Sequence, residues 1–289
     1  MGERIAGAVA SLLLVVAAPA AAQDVPTIDT EDASLGGTAV GVRRFHPIVA
    51  LDIRNGDFAR GGYDDDAANL DRVPVHVQAG FAWGLHSDAA GRQDRWVVAT
   101  SSNGFHTPVA AEKVAPRGWY ESNNLLGVVA ALGAGVRVGA AYAIKVSPNG
   151  VSDTTHELSL TAALDGERGI AALHPSAAVT TRTLGTGGVF TQVAIAPELG
   201  LGRGDATLRF PALVGVGWGG FYAAGSGDVT YGSAGVAVTQ PFAAGGANWR
   251  LRGELLAVVR DDTLRRLGSL DAETATVVPL ATVTLALAL

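Results

Sequence analysis

A chain of 289 residues is one large domain or two small ones, and at 48% hydrophobic and 17% charged residues it is too apolar to remain disordered. The absence of cysteine excludes a disulfide framework and thiolate metal sites. A net charge of -6 speaks against nucleic acid as a partner, because phosphate binding needs a basic face.

The first segment is a targeting signal. Arg4 gives a positive start, Ile5 to Ala18 form an apolar run centred on Leu12, Leu13, Leu14, Val15 and Val16, and Ala20-Ala21-Ala22 precede Gln23. This order of charge, apolar run and small residues predicts a cleaved signal peptide over 1–22. Residues 23–45 are expected to form an N-terminal periplasmic segment. Beyond residue 22 no run approaches the ~20 apolar residues that a membrane-spanning helix requires.

From residue 46 onward the chain reads as successive strands. Val136, Val138, Ala140, Tyr142, Ile144 and Val146 alternate with Arg137, Gly139, Ala141, Ala143 and Lys145, which makes one face apolar and the other polar or small. The same period of two recurs in the segments 46–58, 74–86, 94–102, 119–131, 134–147, 153–164, 169–183, 188–200, 205–218, 228–240, 247–260 and 276–289. Such lengths suit tilted bilayer-spanning strands of ~9–11 residues better than the shorter strands of soluble sandwiches. The pattern predicts an all-β fold, an antiparallel up-and-down transmembrane β-barrel of about twelve strands over 46–289. Closure is required because lipid offers no hydrogen-bond partner to a free sheet edge. Connections alternate between short turns and the longer loops 59–73, 103–118, 219–227 and 261–275, which places both termini in the periplasm. The last strand carries Ala281, Val283, Leu285, Leu287 and Leu289 on one face, a terminal pattern read by the barrel-assembly machinery.

From Trp119 to about residue 260 the chain resembles a family of uncharacterised bacterial outer-membrane β-barrel, porin-like proteins. The residues that carry the likeness are Gly118-Trp119-Tyr120-Glu121, Tyr142 with Ser147-Pro148-Asn149-Gly150, and His156-Glu157-Leu158. Further along they are Leu173-His174-Pro175, Ile195-Ala196-Pro197-Glu198, Arg209-Phe210-Pro211 with Gly215 and Gly217, and Phe221-Tyr222 before Tyr231-Gly232. The resemblance implies a barrel and a porin-like role. It carries over no catalytic residue.

If the apolar face meets lipid, Asp52, Arg54, Glu121, Arg137, Lys145, Glu157, Gln192, Glu198, Arg209, Arg250, Arg252 and Glu254 face the lumen. A lipid-facing Arg or Lys at mid-membrane would cost ~2–4 kcal/mol. Mixed inward charges fit either a polar pore lining or a network of paired charges filling a narrow interior. Trp83, Trp96, Trp119, Tyr120, Trp218, Phe221, Tyr222 and Trp249 fall near strand ends, where aromatic girdles meet the membrane interfaces.

Other motifs resolve to bland readings. Asp64-Asp65-Asp66 has no calcium-loop spacing. Arg203-Gly204-Asp205 sits in a short turn, and Gly215 to Gly220 fits G-x-G-x-x-G without the helix a dinucleotide needs. The six histidines lack metal-ligand spacing. An outer-wall lipase dyad would need a Ser–His pair. His156 does lie on the outward face, but a wet position near its strand start accounts for it. No catalytic residue, cofactor or metal is expected, and the chain is not expected to be an enzyme. The expectation is an outer-membrane porin-like barrel for passive passage of small solutes, surrounded by outer-membrane lipids. The alternative is a structural or interaction barrel with a plugged lumen and partner-binding external loops.

Overall fold

A computed structural model describes residues 44–56, 58–63, 73–110, 112–202, 205–267 and 275–288. The signal peptide, most of the 23–45 segment, Asp64-Asp65-Asp66 and the Arg203-Gly204 part of the tripeptide lie outside the described residues.

The chain is a closed antiparallel barrel of twelve strands, almost without helix. In order these are β1 (Phe45–Arg54), β2 (Val75–Ser87), β3 (Gln93–Phe105), β4 (Trp119–Gly133), β5 (Val136–Val146) and β6 (Thr155–Leu164). They continue as β7 (Ser176–Leu184), β8 (Val189–Ile195, resumed at Glu198–Gly200), and β9 (Thr207–Arg209, resumed at Ala212–Trp218). The last are β10 (Val229–Ala244), β11 (Ala247–Arg260) and β12 (Val277–Ala288). Each strand pairs with its sequence neighbour, and β1 closes on β12 with Ala50 opposite Ala286 and Asp52 opposite Thr284. No described helix is long and apolar enough to cross a membrane.

The period of two produces the two faces. Leu51, Ile53, Val77, Phe81, Leu126, Leu160, Val193 and Leu255 are exposed on the outer wall, while His46, Ile48, His76, Gln78, Thr100, Asn123, Ser159 and Thr180 are buried inside. The turn between β10 and β11 is Gly245-Gly246, with φ of 62° and 77°. This is the two-residue geometry whose twist matches antiparallel strands, and glycine adopts it without strain.

Three predicted strands are shorter or broken, each at a proline. The segment 169–183 begins with a 3-10 turn (Gly169–Leu173), and His174 is left-handed at φ 47°, so β7 starts only after Pro175. β8 breaks at Ala196-Pro197 and β9 at Phe210-Pro211, because proline has no N–H for the ladder. The segment 46–58 also ends early. β1 stops at Arg54, and Phe58–Ala59 pairs instead with Gly62–Tyr63 as a small hairpin over the loop end of the barrel.

Two apolar clusters fill parts of the interior. One joins Ile48, Ala82, Trp96, Val98, Leu125, Val129, Ala141 and Ala143. The other sits at the loop end and joins Phe58, Phe190, Phe221, Val229, Tyr231, Val258, Leu264 and Val278. Leu264 comes from a short helix α1 (Asp262–Leu267) in the 261–276 loop. Asp261 Oδ1 accepts the Thr263 and Leu264 amides at its start, and Asp261 Oδ2 accepts the Thr230 amide.

Candidate functional site: a latched barrel mouth

The Phe58–Tyr63 hairpin turns at Arg60-Gly61, both with positive φ (49° and 79°). A Cβ on Gly61 would meet the Tyr231 ring at 2.5 Å and Leu264 Cδ1 at 2.9 Å, so only glycine lets the tip approach so closely. Tyr222 donates its hydroxyl to the Arg60 carbonyl at 2.6 Å.

The tip delivers one side chain. Arg60 Nη1 and Nη2 donate to Glu157 Oε1 and Oε2 at 2.8 and 2.9 Å, a bidentate pair that is almost wholly buried. The period of two that buries Ser159 and Thr161 also sets Glu157 inward, opposite Ala143 on β5, and a bulge at Thr183 on β7 brings Arg182 opposite it. Arg182 Nε donates to Glu157 Oε1 at 3.3 Å, and Lys145 Nζ stands 3.9 Å from Oε2. Three cations thus converge on one carboxylate. The Arg60 guanidinium also lies 5.0 Å from the Phe190 ring centre and 5.4 Å from that of Phe221. Arg182 covers Phe221 at 4.2 Å and donates to the Phe221 carbonyl at 2.6 Å.

A second buried chain of polar groups ties a loop to the wall. Glu112 is fully buried in the 106–118 loop. It accepts from the amides of Val109 at 2.7 Å and Gly118 at 2.9 Å, and from Asn149 Nδ2 at 2.7 Å in the neighbouring 147–154 loop. His106 Nε2 is 3.8 Å from Glu112, its ring stacks on Tyr120, and the Tyr120 hydroxyl is 2.7 Å from His76 Nε2. His76 in turn lies 3.9 Å from Glu121. Burial alone would raise the Glu112 pKa. The hydrogen bonds from Asn149, Val109 and Gly118, with the nearby His106, outweigh it and hold the carboxyl below the usual range. A depressed carboxylate stabilises above its ordinary pKa, and that contribution is lost progressively as pH falls below about 4.5. Hydrogen exchange of the 106–118 amides should therefore be slow at neutral pH and accelerate below that value. In Glu112→Gln it should be fast at both; an unchanged pH profile in the variant would assign the protection elsewhere.

By parity, Asp52 and Arg54 share the face of Ile48 and Ala50, Glu121 that of Asn123, Arg137 and Lys145 that of Ala141 and Ala143, Glu157 that of Ser159, and Gln192 that of Phe190, while Glu198 and Arg209 line up with Ala237, and Arg250, Arg252 and Glu254 share the face of Val258. Most meet a charge. Asp52 pairs with Arg54 at 3.2 Å, Arg137 with Asp165, Glu198 with Arg209, and Arg252 with Glu254. Lys145, Glu157 and Glu121 belong to the mouth. Gln192 is buried between Ala178 and Gly215, and Arg250 stands opposite Ala286 and Pro241.

The aromatic assignments divide. Trp83, Trp119, Trp218 and Trp249 lie on outward positions, and Phe45 and Phe105 join Trp83 and Trp119 in ring contacts. Trp96, Tyr120, Phe221 and Tyr222 instead turn inward, which corrects their expected place at the membrane interface. Trp96 shares the face of Val98 and Thr100. A bulge at Gly104/Phe105 gives Tyr120 room above Gly104, and Phe221-Tyr222 fold over the mouth. His156 is on the outer wall, with its Nδ1 2.6 Å from the Tyr142 hydroxyl. The sequence reading missed Arg60, Arg182, His76 and Phe190. Arg182 was legible, two residues after Thr180 on the same face, whereas Arg60 sits in a loop with no period to place it. Among the described residues no group of three or more His, Cys, Asp or Glu gathers to hold a metal.

No protein-family model and no curated protein matches the chain. Among solved structures it is similar to LpxR from Salmonella typhimurium, at 9% identity and a TM-score of 0.42, over 84% of this chain and 100% of that one. It is also similar to the outer membrane phospholipase A from Escherichia coli, at 12% identity and a TM-score of 0.41, over 83% and 91%. At such identities the likeness is one of outer-membrane barrel fold and transfers no residue. The second of these structures bears an enzyme's name. The expectation that the chain is not an enzyme is accordingly withdrawn.

Proposed function

We propose that this protein is an outer-membrane barrel whose lumen is shut at the loop end and which acts through its external loops. The observation that carries this reading is the Arg60 hairpin, seated in the mouth by the buried Arg60–Glu157 pair and packed under Tyr222, Tyr231 and Leu264. In this reading residues 1–22 direct export and are removed, 23–45 lie in the periplasm, assembly machinery inserts the barrel, and lipids surround the exposed apolar wall. The loops 106–118 and 147–154, joined through Glu112 and Asn149, present Lys113, Val114, Arg117 and Val151 outward as a preformed contact surface. A preformed surface loses little entropy on meeting a partner.

Passive passage of small solutes is the second reading, favoured by the polar inner wall of Gln78, Thr100, Ser102, Asn123, Ser159 and Thr161. It requires the hairpin to leave the mouth. Planar-bilayer recording separates the two: the wild type should give no conductance steps, and deletion of residues 58–63 should produce them. Steady conductance by the wild type would defeat the shut-lumen reading.

A further inference from the structure

We propose that Glu157, Phe190 and Phe221 form a guanidinium-binding cage which the chain's own Arg60 occupies as an internal ligand, so that an external guanidinium-bearing molecule, such as an arginine-containing peptide, competes for it. The inference rests on the shut-lumen reading and names the ligand class of the same mouth.

The cage matches a guanidinium in shape and in charge. Glu157 presents both oxygens to the two terminal nitrogens at 2.8 and 2.9 Å, a fork-to-fork geometry that an ammonium cannot reproduce. Two aromatic faces at 5.0 and 5.4 Å complete it, as cation–π partners suited to a flat, weakly hydrated cation. With Arg60 seated, Phe190, Phe221 and Glu157 are all fully buried, so the guanidinium is held out of water.

Its occupant arrives on a separate piece of chain. Arg60 stands at the tip of a two-residue-armed hairpin that belongs to no barrel strand, and the only β-pairing of that hairpin among the described residues is with itself. Breaking a buried ion pair is ordinarily prohibitive because one charge is left alone. Here Glu157 keeps Arg182 at 3.3 Å and Lys145 at 3.9 Å on the barrel wall, while Arg60 would leave with the hairpin toward water. The carboxylate passes from one guanidinium to another and is never stranded. Displacement also lifts the hairpin, which makes occupancy of the cage and opening of the mouth one event.

A tethered ligand competes at an effective concentration on the order of millimolar, so the wild type should bind an outside guanidinium weakly and Arg60→Ala should bind it far better. The test is thermal unfolding of the refolded barrel in detergent micelles, with L-argininamide and L-lysinamide titrated at matched ionic strength. Argininamide should raise the melting temperature of Arg60→Ala saturably, at concentrations at least about tenfold lower than for the wild type. Lysinamide should not, and the double variant Arg60→Ala/Glu157→Gln should lose the response. Equal shifts with both amides, a response that survives Glu157→Gln, or no response in Arg60→Ala would each overturn the cage. Should Arg60→Ala fail to refold, Arg60→Lys retains the charge but cannot bridge both oxygens, and argininamide should still stabilise it over lysinamide. The titration is independent of conductance, so a wild type found to conduct would refute the shut lumen while the amides still judge the cage.

Discussion

Replacing Glu157 by alanine is expected to destabilise the barrel by about 3–5 kcal/mol, the cost of leaving buried charges without their counter-ion. The reason lies in the count around this carboxylate. Arg60, Lys145 and Arg182 all face it, so its loss leaves three cations close together in a dry mouth. Arg60→Ala should cost less, about 1.5–3 kcal/mol for lost hydrogen bonds to a charged group, because Glu157 then keeps two of its partners. The order of the two variants is the test, read by urea unfolding of the barrel in lipid vesicles. If Arg60→Ala proves the more damaging, the carboxylate is not the centre of the cluster.

Gly61→Val should expel the hairpin while leaving the barrel folded. At φ 79° a branched side chain pays for a left-handed backbone, about 1–2 kcal/mol. Its Cβ also falls 2.5 Å from Tyr231 Cγ and 2.7 Å from Tyr231 Cβ, atoms that are fixed near the backbone of β10 and cannot swing away. No barrel strand contains Gly61, so nothing in the β-ladder opposes the expulsion. Two readouts follow from this. Conductance steps should appear in planar bilayers, and trypsin added from the loop side should cut after Arg60, which the wild type shields. A variant that stays silent and uncut would mean that the mouth tolerates the added bulk.

The barrel itself was legible because a period of two, repeated through strand after strand, sorts side chains between lipid and interior. The cost of a lipid-facing charge is the reason Asp52, Arg137, Lys145, Glu157 and Arg252 were expected on the inner face. The latch was not legible. Arg60 lies in a connection, where no periodicity says which way a side chain points, and its partner is 97 positions away in sequence. The aromatics misled for a related reason. A tryptophan near a strand end suits both a membrane interface and an inner cluster, and only the parity of Trp96 with Val98 and Thr100 separates them. At Tyr120 a bulge alters the parity itself.

The two proline interruptions lie side by side. Phe210 donates its amide to the Pro197 carbonyl at 3.0 Å, so the breaks in β8 and β9 fall at one level of the wall. Below them, Glu198–Gly200 and Thr207–Arg209 form a flap hydrogen-bonded to β10 on one side, and among the described residues no β-ladder joins Glu198–Gly200 to β7. Two neighbouring staves of the cask are thus cut at the same height. The wall there is gripped from one side only, so fraying of the cylinder is expected to begin at this corner.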